Sequence, residues 1–125
     1  MEGIIVVAYH EQGGYDAEGK YSPAAGKARC MTIYSTDQGQ TWSTPQPLGI
    51  RGLESASPYG RIVVWNDGSL LMNVYGPYAY FVPGMDRIRQ NAEDYAYLVR
   101  SRDGGKTWGE PLLIAEGHNE TALLP

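Results

Sequence analysis

Short runs of apolar, β-branched and aromatic residues recur along the chain, separated by segments rich in Gly, Pro, Asn and Asp. This pattern predicts strands, because β-branched and aromatic side chains favour strands and the other four residues are typical of turns. The predicted strands are residues 4–9, 28–34, 61–65, 70–75, 95–100, 112–115 and 121–124. An Asp-Gly pair at residues 67–68, between the third and fourth of these strands, indicates a hairpin.

Helices are not favoured anywhere in the sequence. No window of a dozen residues carries an apolar stripe at helical spacing without Gly or Pro, and the best candidate, residues 85–94, has only Met85 and Ile88 as apolar anchors. Residues 10–27 and 76–93 are long segments rich in Gly or Pro, which in a compact domain are commonly functional or disordered; tolerated surface insertions are the alternative. We therefore predict an all-β fold.

An eight-residue pattern occurs twice, with a spacing of 66 residues. Residues 35–42 (STDQGQTW) and 101–108 (SRDGGKTW) share Ser-x-Asp-x-Gly-x-Thr-Trp. Each copy follows a predicted strand and is followed by a proline within three residues. The two equivalent settings indicate one structural unit that is repeated.

The residue types in this pattern are those of a turn that stabilises itself. An Asp carboxylate accepts hydrogen bonds from nearby backbone N–H groups, and Gly adopts the positive φ that other residues resist. The Ser and Thr hydroxyls satisfy further polar groups, and the Trp covers the turn with apolar area. Asp37 and Asp103 are therefore predicted to be structural, because a carboxylate that accepts such bonds has a lowered pKa and is a poor proton donor.

The pattern resembles the Asp box, or BNR repeat, of the sialidase-like β-propellers. The resemblance implies blades of four antiparallel strands, with the box between the third and fourth strands, and six blades in the full protein. A blade needs roughly 40 residues or more, so residues 1–125 are expected to form about two blades of a single propeller domain, as a fragment of a larger protein. The structural box residues are then Ser35, Asp37, Gly39, Thr41, Trp42, Ser101, Asp103, Gly105, Thr107 and Trp108.

The segments between and after the boxes also resemble sialidases, which implies an exo-glycosidase that removes terminal sialic acids from glycoconjugates. In that family a Glu activates a Tyr nucleophile, three arginines bind the substrate carboxylate, and an Asp is the acid/base. Glu120 matches the activating Glu; the alternative is an ordinary carboxylate at a strand edge. Asp16 is the candidate acid/base, although it requires an insertion before the first box; the alternative is a solvated loop residue.

The other parts of that active site are the substrate contacts, the nucleophile and the arginines, and only the contacts have candidates in this chain. Tyr75 and Tyr78 border the second long segment, where we expect aromatic substrate contacts, with packing as the alternative. The nucleophile and the arginines are expected outside residues 1–125, so the chain alone should be inactive. Two other functions stay open: a non-catalytic Asp-box propeller that binds glycans or proteins, and an Asp-box glycosidase that acts on neutral polysaccharide.

The composition of the chain argues against several classes of protein. Fourteen acidic and ten basic residues give a net charge of −4 without a basic cluster, which argues against a nucleic-acid partner. Cys30 is the only cysteine, so neither an intrachain disulfide nor a cysteine-based zinc site is expected. No cofactor, metal or membrane span is expected; the expected partners are a glycan, namely a sialoside, and the rest of the propeller. The resemblance implies a secreted or periplasmic protein, although residues 1–9 do not resemble a signal peptide.

Overall fold

The computed structural model describes residues 3–11, 14, 16–20, 29–76, 95–118 and 121–124, which form seven strands and no helix. The all-β prediction is confirmed. Sheet 1 has the order β1-β2-β3, and sheet 2 has the order β4-β5-β6-β7, with all neighbours antiparallel. The strands are β1 (Ile5–Glu11), β2 (Arg29–Ser35), β3 (Gln46–Pro47), β4 (Ser57–Val64), β5 (Leu70–Gly76), β6 (Tyr95–Ser101) and β7 (Gly109–Glu116).

Six of the seven predicted strands are present with shifted ends, and the hairpin predicted at the Asp-Gly pair joins β4 to β5. The prediction of a strand at residues 121–124 is wrong: these residues join neither sheet ladder. The Thr121 carbonyl accepts a hydrogen bond from the Asn73 side chain instead of from a neighbouring strand's backbone. The helical candidate at residues 85–94 and large parts of both long segments lie outside the described residues.

The two sheets are equivalent around their boxes. Ser35 ends β2 and pairs with Ile5 of β1, and Ser101 ends β6 and pairs with Leu70 of β5. Strands β1, β2 and β3 therefore correspond to β5, β6 and β7, and within the described residues sheet 1 has no counterpart of β4. In sheet 2 the box joins the third and fourth strands, which is consistent with partial propeller blades.

The core lies between the sheets. One face of sheet 2 and the 48–56 connection supply most of its buried side chains, and Val6 and Ala8 of β1 pack against them from sheet 1. The buried residues are Cys30, Leu48, Ile50, Leu53, Ala56, Leu70, Met72, Val74, Tyr95, Tyr97, Val99 and Trp108. Because every second residue of β5 and β6 points into this core, the sheets stack face to face.

Each box is organised by hydrogen bonds between its own side chains and backbone. In the first, the Ser35 hydroxyl donates to Asp37 Oδ1 and accepts the Gly39 N–H, both at 2.8 Å. Asp37 Oδ1 also accepts the Thr41 N–H at 2.8 Å, and its Oδ2 accepts the Thr41 hydroxyl. The Gly39 φ of 86° is in the left-handed region, as the sequence predicts.

The second box repeats these bonds. The Ser101 hydroxyl donates to Asp103 Oδ1 at 2.8 Å and accepts the Gly105 N–H at 2.9 Å. Asp103 accepts both the N–H and the hydroxyl of Thr107. Gly105 has a φ of 87°, one degree from that of Gly39. The two turns are thus the same structure, which explains why the same five residue types recur.

The carboxylates of both boxes are held in the charged form. Hydrogen bonds from the Thr41 side chain, the Thr41 backbone and the Ser35 hydroxyl lower the pKa of Asp37 to about 2. At Asp103, burial acts to raise the pKa, but hydrogen bonds from Thr107 and Ser101 outweigh it and the pKa is lowered. This confirms the expected direction and supports a structural role for both residues.

The lowered pKa of Asp37 predicts acid-dependent stability. The pKa is about 2 in the folded chain against an ordinary value of 3.8, so the contribution is complete above about pH 4 and is lost as the pH falls through about 2. Asp37→Asn keeps an acceptor oxygen but does not titrate. Urea midpoints measured from pH 5 to pH 2 should therefore fall less steeply for this variant than for the wild type. Parallel curves would contradict the assignment.

A further prediction follows from the contact between the second box and β1. A Cβ on Gly105 would lie 2.7 and 2.8 Å from the Val6 methyl carbons, whereas on Gly39 it would meet nothing closer than 3.7 Å. Because both glycines have a similar positive φ, the backbone strain that an alanine introduces should destabilise the fold by a similar amount at the two positions. Gly105→Ala should cost about 1–3 kcal/mol more than Gly39→Ala, the range for overpacking, in chemical denaturation.

Adding Val6→Ala should recover part of the Gly105→Ala loss, since it removes the two methyl groups that clash. Equal destabilisation by the two glycine substitutions would show that the close packing of Gly105 against Val6 does not limit the stability of the fold.

Candidate functional site

The two ends of the stacked sheets differ in what they carry. Both boxes lie at one end, the box end. The other end, here called the loop end, holds the register pairs Glu11–Arg29, Ser57–Tyr75 and Tyr95–Glu116. Here the Ser57 hydroxyl is 3.3 Å from His10 Nδ1, so the same ends of β1 and β4 are adjacent. The connections that follow β1, β5 and β7 therefore all leave from the loop end.

Asp16 lies in the connection from β1 to β2, where its carboxylate organises a turn. Its Oδ1 accepts the N–H groups of Glu18 at 3.0 Å and Lys20 at 2.9 Å. The Asp16 N–H donates to the Lys20 carbonyl at 2.9 Å. These bonds give Asp16 a structural function in its own loop, and its acid/base role stays a prediction.

Tyr75 lies near the end of β5 and contacts a residue that sequence reasoning missed. Its ring meets that of Tyr59 edge to face, with ring centroids 6.3 Å apart and an interplanar angle of 76°. The exposed Tyr59 is on β4, and the two rings meet only because Ser57 pairs with Tyr75 and Tyr59 with Asn73. Paired tyrosines offer apolar ring surface with polar tips, which suits contact with a sugar.

Glu120 and Tyr78 lie outside the described residues, so their roles stay predictions. The segment after Glu120 is fixed at two points. The fully buried Asn73 donates to the Thr121 carbonyl, and a Cβ built on Gly60 would lie 2.9 Å from the Ala122 Cβ. Because Asn73 alternates with the core residues of β5, segment 121–124 lies on the face of sheet 2 opposite sheet 1.

The 66-residue spacing extends beyond the boxes. Residues 54–56 (Glu-Ser-Ala) recur as residues 120–122 (Glu-Thr-Ala), a signal that comparison of the boxes alone misses. Glu54 Oε2 accepts the Gly52 N–H at 2.9 Å, and its carbonyl accepts the Cys30 N–H at 2.9 Å. Glu54 is thus a turn-forming residue at the repeat position of Glu120, and it provides a matched control for that residue.

Ion pairs join the elements of sheet 2 at the box end. Arg100 Nη1 is 3.3 Å from Asp67 Oδ2, and Arg102 Nε is 3.0 Å from Glu110 Oε2. Arg102 lowers the pKa of Glu110, chiefly by a side-chain hydrogen bond. These two arginines are engaged with carboxylates away from the loop end, and the expectation that substrate-binding arginines lie outside this chain stays a prediction.

Two features are absent from the described residues. In that part of the chain, no group of three or more His, Cys, Asp or Glu side chains is placed to hold a metal ion. The same residues include no helix long and apolar enough to cross a membrane.

Comparison with known families identifies the first box. The BNR/Asp-box repeat family matches residues 33–44, from within β2 to just beyond Trp42. This is consistent with a sialidase-like BNR repeat protein. No curated protein matches the chain.

The bond from Asn73 predicts a local effect on segment 121–124. Asn73→Ala leaves the Thr121 carbonyl without this donor and should cost about 1–3 kcal/mol, with faster hydrogen exchange in residues 121–124. Asn66→Ala, in the exposed β4–β5 turn, is the control and should stay within about 0.5 kcal/mol. Unchanged exchange in Asn73→Ala would show that this side chain does not fix the segment.

Proposed function

We propose that this chain is part of a sialidase-like exo-glycosidase that hydrolyses terminal sialic acids, with its active site at the loop end. The observation that carries the proposal is the common end from which the connections bearing the candidate residues leave. The Asp16 loop follows β1, Tyr75 lies near the end of β5, and the sequence from Glu116 to Thr121 carries Glu120. The opposite end is taken up by the boxes and by the ion pairs of Arg100 and Arg102.

The roles follow from the chemistry of an anionic substrate. A Tyr nucleophile is neutral and so approaches the sialic acid carboxylate with less repulsion than a carboxylate nucleophile would. Because the ordinary pKa of Tyr is near 10, it needs a base, and Glu120 would take its proton. Asp16 would protonate the leaving oxygen, which requires its carboxyl group to carry a proton within its turn. Tyr75 and Tyr78 would contact the sugar.

A non-catalytic glycan-binding propeller is the second candidate, and two observations favour it. Glu54, at the repeat position of Glu120, stabilises its own turn, and Asp16 binds two backbone N–H groups of its loop. If Glu120 behaves as Glu54 does, both candidate catalytic carboxylates are structural. The exposed Tyr59 and its partner Tyr75 would then supply binding without hydrolysis.

Glu120→Gln separates the two candidates when compared with Glu54→Gln in a polypeptide that includes the expected flanking blades. The enzyme proposal predicts that Glu120→Gln lowers kcat on an aryl sialoside by ~10²–10⁴ with an unchanged melting temperature, because the nucleophile loses its base. Glu54→Gln should keep kcat within about threefold. Near wild-type kcat in Glu120→Gln would remove Glu120 from the mechanism, and a wild type without measurable hydrolysis would favour the binding protein.

Asp16→Asn tests the acid role through the leaving group. Asn keeps the oxygen that accepts the two turn N–H groups, so the melting temperature should hold. Without the acid, kcat/KM should fall ~10²–10⁴ for alkyl sialosides and much less for nitrophenyl sialosides, whose leaving group needs no proton. Equal activity of Asp16→Asn and wild type on both substrates would leave Asp16 as a turn residue only.

A further inference from the structure

Two residues of sheet 2 contact the chain directly after Glu120. The Asn73 side chain on β5 donates a hydrogen bond to the Thr121 carbonyl. Gly60 on β4 lies so close to Ala122 that a Cβ built on the glycine would be 2.9 Å from the Ala122 Cβ. Because a peptide bond joins Thr121 to Glu120, these contacts restrain the backbone next to the candidate base.

Asn73 occupies a position at which the corresponding strand of sheet 1 has no polar side chain. By the register around the boxes, Asn73 of β5 corresponds to Ala8 of β1. Ala8 packs against the core between the sheets, and its methyl group cannot donate a hydrogen bond. The sheet that precedes Glu120 in the sequence thus supplies a side-chain donor at a position where the sheet that precedes Glu54 supplies none.

Packing alone does not explain an amide at this position. Asn73 is fully buried, and burying an amide destabilises a protein unless its polar atoms are paired. The Asn73 Oδ1 and the Thr121 hydroxyl oxygen are both buried, and neither has a hydrogen-bond partner among the described residues. Ala8 shows that an apolar residue is sufficient for packing at the equivalent position. The bond to the Thr121 carbonyl is therefore what the asparagine adds.

The paired tyrosines lie on the same face of sheet 2 as Asn73. Tyr59 is the register partner of Asn73, and the side chains of directly paired residues point to the same face of a sheet. Tyr75 follows Asn73 by two residues on β5, so it also points to this face, nearer the loop end. Asn73 thus contacts the residue after Glu120 on the face that carries the candidate sugar contact Tyr75.

We propose that Asn73 is a positioning residue for Glu120, whose carboxylate it places relative to the Tyr nucleophile through the bond to the Thr121 carbonyl. The inference rests on the proposed function, in which Glu120 takes the proton of the nucleophile. Asn73 itself does not touch the substrate. Because a base must lie within hydrogen-bond reach of the proton that it removes, a small displacement of the Glu120 carboxylate should lower kcat without weakening substrate binding.

Asn73→Leu tests the proposal in the polypeptide that includes the expected flanking blades. Leucine has the branched shape of asparagine but donates no hydrogen bond. Well below the melting temperature, kcat on an aryl sialoside should fall ~10–10²-fold, the scale of a displacement of about 1 Å, with KM within about threefold. The control is Val74→Ala, in the core on the opposite face of β5, which should lower the melting temperature but keep kcat within about twofold. If Asn73→Leu does not fold, Asn73→Ala replaces it.

A double substitution tests whether Asn73 acts through Glu120. In a polypeptide that already carries Glu120→Gln, Asn73→Leu should change the remaining kcat by less than about twofold, because the base that it positions is gone. An equal loss of kcat in the wild-type and Glu120→Gln backgrounds would overturn the proposal, since Asn73 would then act elsewhere. Wild-type kcat in Asn73→Leu alone would also overturn it.

A measurement without turnover separates this proposal from the proposed function. In protein with isotope-labelled glutamate, the Glu120 carboxyl signal is the one that Glu120→Gln removes, and Glu54→Gln identifies the Glu54 signal in the same way. Asn73→Leu should change the chemical shift of Glu120 and leave that of Glu54 unchanged. This result with a wild type that does not hydrolyse sialosides would contradict the proposed function but support the positioning of Glu120 by Asn73. An unchanged Glu120 signal would overturn the proposal whether or not the protein is an enzyme.

Discussion

The hydrogen bonds inside each Asp box connect a serine hydroxyl at a strand end to an aspartate carboxylate and a threonine farther along the turn. The two serines are almost fully buried, so their hydroxyls need partners within the protein. By satisfying them, the turn fixes where β2 and β6 end and therefore which residues of β1 and β5 pair with them. Every second side chain of those strands is then directed into the core between the sheets.

This constraint also separates the two ends of the molecule. At the box end the chain turns tightly, and ion pairs from Arg100 and Arg102 tie the β4–β5 hairpin and β7 to the second box. At the loop end the connections are longer and are not restricted by boxes. Residues of different strands, such as Tyr59 and Tyr75, meet there. A scaffold fixed at one end can vary its loops at the other, which is where binding residues commonly lie.

Local patterns were sufficient to predict the boxes, the β4–β5 hairpin and six strands, because a box or a hairpin is stabilised within its own few residues. Features set by a distant partner were not predictable. Trp42 and Trp108 occupy the same motif, but among the described residues only Trp108 has another sheet against it. The Tyr59–Tyr75 contact depends on the register of β4. Segment 121–124 has strand-like residues, but it pairs with no strand in the part of the chain that the structure describes. The equivalence of Glu54 and Glu120 could have been predicted, because these two residues are 66 positions apart, as the two boxes are.

Native-state hydrogen exchange tests most directly whether the boxes hold the fold. The amides of Gly39, Thr41, Gly105 and Thr107 donate to box side chains. If these bonds fix the strand ends, the four amides should exchange only through global unfolding, with the same opening free energy as the buried core residue Val74. Exchange at the rate of an unstructured peptide, while Val74 stays protected, would contradict the account.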